Sequence, residues 1–105
     1  MIRMMVVYSL LDAKDFFVAA DELRKTAEDI PADWKLIVCK RNDPEVGNAL
    51  IGVPYGSIVQ IIEMPDNTQE QDFLSTDAYR SQKQRTKGRF SQISSIYCPL
   101  EDSDP

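Results

Sequence analysis

The chain has 105 residues, of which 43% are hydrophobic and 28% charged, and its formal net charge is −5. This suits one soluble globular domain, and the acidity argues against broad binding to nucleic acid or an anionic membrane. The absence of histidine removes the commonest general base and metal ligand, and two cysteines are too few for a secreted disulfide framework. The expected setting is therefore reducing and cytoplasmic, with no metal site and no cofactor.

Residues 4–11 (MVVYSLL after Met4) form an apolar run that suits a strand with both faces covered. The run is too short to span a bilayer. It could imitate a signal sequence, but no small-residue cleavage site follows, and a buried strand is the better reading. The period then changes. Phe16, Ala20, Leu23, Ala27 and Ile30 recur at helical spacing, with Asp12 as N-cap, Asp15 completing a capping box and Pro31 as the stop. Residues 34–41 (WKLIVCKR) read as a second strand, ended by Asn42-Asp43-Pro44. Residues 57–64 (SIVQIIEM) read as a third, with Ile58, Gln60 and Ile62 on one face and Val59, Ile61 and Glu63 on the other. A second helical region covers 68–87, with Asn67 and Glu70 as a capping box, a break or fresh N-cap at Ser75-Thr76-Asp77 and Gly88 past its end. Residues 92–100 (QISSIYCPL) read as the fourth strand, and the acidic tail 101–105 is expected to be mobile.

The order β-α-β-β-α-β predicts an α+β, ferredoxin-like domain over residues 1–100. Right-handed crossovers place both helices on one face of a four-stranded antiparallel sheet, with the first and third strands central. The other face is then bare, yet each of the first three strands carries large apolar residues on both sides. A second copy packed sheet to sheet would cover it, so a homodimer is expected.

The stretch IIEMPDNTQEQDFLSTDAYRSQ, residues 61–82, carries a resemblance. A strand ending in an acidic residue (Glu63), a turn, a helix and then Phe73, Leu74, Ser75 and Tyr79 is similar to a recurring pattern of the dimeric α/β-barrel superfamily. That group includes antibiotic-biosynthesis-monooxygenase-like and EthD-like small proteins. The resemblance implies the fold, the dimer and a pocket. It carries no catalytic set across, because haem-degrading members rely on a histidine that this chain lacks. The connection 42–56 is also longer than is usual in such proteins.

GNALIGVPYGS, residues 47–57, holds three of the four glycines and looks like half of a phosphate loop. A phosphate loop needs Lys and Ser/Thr after the second glycine, and a helix beyond them. Here Val53 and Pro54 follow, and then a strand. Two readings stand: a structural turn region, or a lid in which Leu50, Val53 and Tyr55 cover a pocket mouth or a partner subunit. Tyr8, Gln60 and Tyr97 lie on three strands and would give an apolar cavity a few polar groups if they share a face. Alternatively, each is satisfied by backbone or interface partners. Tyr79 divides the same way. Residues 80–89 (RSQKQRTKGR) hold five of the twelve Lys and Arg residues, at the end of a helix that starts acidic. Helix-dipole complementarity explains this better than nucleic-acid binding. Cys39 and Cys98 fall on opposite edges of the expected sheet, too far apart to bond within one chain, although a crosslink between subunits is conceivable.

The first functional reading is a homodimer that binds a small apolar or aromatic metabolite, as a cofactor-independent monooxygenase, isomerase or cyclase. Tyr8, Gln60, Tyr79 and Tyr97 would orient the substrate, and Glu63 is the nearest candidate base. The alternative is a non-catalytic ligand-binding or protein-interaction module on the same fold. Missing histidine and missing paired carboxylates raise its standing.

Overall fold

The computed structural model describes residues 1–40 and 57–99. Four strands, β1 (Ile2–Leu10), β2 (Lys35–Lys40), β3 (Ile58–Met64) and β4 (Phe90–Pro99), form one sheet in the order β2-β3-β1-β4. The neighbours are all antiparallel, with β1 and β3 central. Helix α1 (Phe16–Lys25) crosses from β1 to β2, and α2 (Glu70–Leu74) with α3 (Asp77–Arg85) crosses from β3 to β4. This is the ferredoxin-like architecture that the element order predicts.

The strand pleat divides the core in two. Met4, Val6 and Tyr8 of β1 and Ile58, Ile62 and Met64 of β3 point to the helices and pack against Ala19, Ala20, Leu23, Phe73 and Tyr79. The alternate residues Met5, Val7, Val59 and Ile61 form a separate buried cluster flanked by Ile37 and Cys39. No described helix contributes to this second cluster. Its members are nonetheless 0–6% exposed within the single chain, so that face is not bare as the strand pattern led one to expect.

Helix ends differ from expectation in instructive ways. Asp12 caps a 3₁₀ turn (Ala13–Asp15), accepting from the Lys14 N–H at 3.1 Å, and Asp15 makes no capping bond with its side chain. Helix α1 ends at Lys25 and continues as a second 3₁₀ turn, Thr26–Glu28. Thr26, three residues after Leu23, is the buried position there, and Ala27, four residues after Leu23, is exposed. In the second helical region the break is real. Leu74 ends α2, and Thr76 caps α3 by accepting from the Tyr79 N–H at 3.1 Å. The N-cap of α2 is Gln69 rather than Asn67, and the Asp72 carboxylate accepts from the Gln69 N–H at 2.7 Å; the side chain of Glu70 lies outside the described residues. Gly88 turns the chain into β4 with φ of +83°, a left-handed conformation that other residues adopt at a cost.

Candidate functional site

Gln60 sits near the middle of a central strand, 0% exposed, among aliphatic neighbours. An amide left unpaired there would cost about 1–3 kcal/mol. Three elements converge to satisfy it. Val6 is its direct partner on β1, which makes Tyr8 its diagonal neighbour, within reach of a long side chain. The Tyr8 hydroxyl donates to Gln60 Oε1 at 2.6 Å. Gln60 Nε2 donates to Gln82 Oε1 of α3 at 2.7 Å and to the Leu23 carbonyl of α1 at 3.1 Å. Gln82 Nε2 closes the circuit by donating to the Tyr8 hydroxyl oxygen at 2.6 Å.

The result is a ring of three side chains in which each donates to the next. Thr26 adds a fourth member, donating from Oγ1 to Gln82 Oε1 at 2.7 Å. From there the network reaches the surface. Arg85 donates to Thr26 Oγ1 at 3.1 Å and to the Glu22 carbonyl at 2.8 Å, and it pairs with the Glu22 carboxylate at 3.0 Å. The hydrogen bond from Lys25, with the charges of Lys25 and Arg85, holds the Glu22 carboxyl below its ordinary value, and partial desolvation opposes this.

Burial pushes the Tyr8 hydroxyl far above the usual phenol range, and the neighbouring Tyr79 adds to the rise. The bond from Gln82 partly offsets both. A phenol that holds its proton so firmly is a poor general base and a poor proton donor near neutrality. Tyr79 is also raised by burial. Its ring packs on Phe73 with centroids 5.1 Å apart, in the same core as Tyr8.

Of the candidates, Tyr8 and Gln60 are therefore brought together, with Tyr79 in the surrounding core. Glu63 is not. It alternates to the opposite face and pairs with Arg3, its register partner, at 3.1 Å. Tyr97 is paired with Met4 in the β1–β4 register, and its side chain lies outside the described residues, as do those of Leu50, Val53 and Tyr55. The side chain of Cys98 also lies outside them, and Cys39 is half-buried. Among the described residues, no group of three or more Cys, Asp or Glu side chains could hold a metal.

Sequence reasoning missed Gln82 and Thr26. A signal for Gln82 was present: Ala78, Tyr79, Gln82 and Thr86 lie at helical spacing and all four are buried. It is hidden in the polar run SQKQR. Thr26 lies three residues after Leu23 on the same helical face, but a single polar residue there does not stand out beside apolar Ala27.

A separate groove of about 180 Å³ opens between α1 and β2, lined by Phe16, Phe17, Ala20, Arg24, Val38 and Lys40 among others. It shares no lining residue with the ring of Tyr8, Gln60 and Gln82.

No family model and no curated protein matches the sequence. Solved structures do match in fold. The chain is similar to an antibiotic biosynthesis monooxygenase, with TM-score 0.61 and 13% identity over 95% of this chain and 98% of that one. It is similar to a dimeric protein of unknown function and ferredoxin-like fold from Bacteroides fragilis, with TM-score 0.62 and 12% identity over 94% and 95% of the two chains. It is also similar to an uncharacterized NIPSNAP domain protein from Burkholderia xenovorans, with TM-score 0.62 and 12% identity over 100% and 99%. The sequence's resemblance to the dimeric α/β-barrel superfamily is thus borne out at the level of the fold. Among the described residues, no helix is long and apolar enough to cross a membrane.

Proposed function

We propose that the chain forms a homodimer, sheet against sheet, and acts as a cytoplasmic binding module with no chemistry at its sheet–helix interior. The observation that carries this reading is the closed ring of Tyr8, Gln60 and Gln82. Its polar groups are spent on one another and its members are at most 1% exposed. A substrate entering there would have to break bonds already made, and it would meet a phenol whose proton is held tightly. The dimer is supported by the description of the Bacteroides fragilis neighbour, of the same fold, as dimeric, and half-buried Ile37 at the rim of the second cluster is where a partner would reach that side of the sheet.

A second reading is favoured by the likeness in fold to the antibiotic biosynthesis monooxygenase. In it, a small apolar or aromatic metabolite displaces the ring bonds, and Tyr8, Gln60, Tyr79 and Tyr97 orient it for cofactor-independent oxygenation, isomerisation or cyclisation. Two measurements test the proposal, the second of which decides between the readings. Sedimentation at micromolar concentration should give a dimer, and a monomer would overturn that half of the proposal. Titration of ¹⁵N-labelled protein with 1-naphthol should leave the side-chain amide resonances of Gln60 and Gln82 in place. Saturable movement of both would support the second reading instead.

A further inference from the structure

We propose that the groove between α1 and β2 is a binding site for a small, single-ring aromatic carboxylate. This deepens the binding-module reading and rests on it. Part of the wall is apolar: Phe16 and Phe17 stand edge to face with centroids 5.5 Å apart, and Ala20 and Val38 line the groove with them. Phe17 is 73% exposed, the largest exposure of any large hydrophobic side chain among the described residues. A planar ligand laid against it removes that surface from water and can stack with the ring.

The charge around the groove selects the rest of the ligand. Among the described residues, its charged lining residues, Arg24 and Lys40, are both cations, although the chain as a whole carries a net charge of −5. Arg24 presents a planar fork that fits a carboxylate with two parallel bonds. It is held at 2.9 Å by Asp21, but both partners are more than half exposed. Such a pair contributes little and exchanges readily for a better-placed carboxylate. Lys40 lies 6.0 Å over the Phe16 ring, which places a second cation at the aromatic wall. The groove's 180 Å³ falls below the roughly 300–1,000 Å³ of sites for drug-sized ligands, so one ring and one carboxylate are the size it admits.

The test is an NMR titration of the ¹⁵N-labelled full chain with benzoate, benzamide and acetate as probes. Benzoate should move the backbone amides of Phe17, Ala20, Arg24 and Val38 saturably. Benzamide has the ring without the charge and should bind about two- to fivefold more weakly, and acetate, which has the charge without the ring, should bind more weakly still. The double variant Arg24→Gln with Lys40→Gln, at two exposed positions, should lose about fivefold in benzoate affinity while keeping a folded spectrum. Phe17→Ala should weaken benzoate and benzamide alike. Benzamide binding as tightly as benzoate would overturn the proposal, as would no change in the double variant. If no resonance moves while the protein sediments as a dimer, the groove proposal alone fails. Movement of Gln60 and Gln82 instead overturns both this proposal and the sealed interior on which the binding-module reading rests.

Discussion

On the helix side of the sheet, Tyr8 and Gln60 interrupt aliphatic strands and are tied to Gln82 and Thr26 by short hydrogen bonds. On the far side, the buried cluster of Met5, Val7, Val59 and Ile61 contains no side-chain amide or hydroxyl. The first arrangement is directional. A one-residue slip of β1 against β3, or a small rotation of α3, leaves buried donors and acceptors unpaired. The second is non-directional and tolerates any apolar surface of about the right shape. The polar side specifies one geometry, whereas the aliphatic side, already buried within the chain, requires only that apolar surface cover it.

The most severe way to break this contrast is Gln60→Ala. It removes three hydrogen bonds, leaves the Tyr8 hydroxyl proton without its acceptor in a dry interior and leaves a cavity. We expect a loss of about 3–5 kcal/mol in urea unfolding. A loss below about 1 kcal/mol would show that the ring is not a cooperative unit.

Tyr8→Phe keeps the ring's shape but deprives Gln60 and Gln82 of one partner each, and about 1–3 kcal/mol should be lost at neutral pH. The same residue makes stability depend on alkaline pH. Its folded pKa is raised above the ordinary 10.0, so above pH 10 the unfolded chain releases a proton that the folded chain retains. Wild-type stability should therefore be full below pH 10 and fall as pH rises beyond it. The Tyr8→Phe curve should be flatter over that range. Parallel curves would show that Tyr8 is not sealed in the folded state.

Ile37→Glu probes the other face from its half-buried rim. A charge there should weaken dimerisation by about tenfold or more, equivalent to about 1.4 kcal/mol, in sedimentation at several concentrations. An unchanged dimer would move the interface elsewhere. The mildest expected effect is Ile61→Val, which deletes one methylene from the aliphatic cluster and should cost about 0.5–1.5 kcal/mol with no change in pH dependence. A cost matching that of Gln60→Ala would erase the contrast between the two faces.

Much of the fold was legible before any coordinates. The period change from 2 to 3.6 and back, with proline and glycine at the boundaries, places four strands and the helical crossovers in order. The alternation along β3 also separates Gln60 from Glu63. The site was legible only in part. Tyr8 and Gln60 stand out because they are polar residues on apolar strands, but nothing in the local pattern says which third group meets them. Gln82 comes from a helix whose composition is mostly charged and polar, where the buried stripe is thin. Thr26 falls at i+3 from Leu23 and Ala27 at i+4, and periodicity alone favours the apolar one of the two.

What the sequence by itself determined is the set of elements and the faces of the strands, because both follow from periodicity and from residues that start or stop a helix. Which polar groups bond to one another was decided only by the tertiary structure. So were the burial of the second sheet face within one chain and the groove that α1 and β2 form together. Each of these depends on side chains from distant segments meeting in space. Hydrogen bonds such as that between Tyr8 and Gln82, 74 residues apart, leave no mark in a local window of sequence.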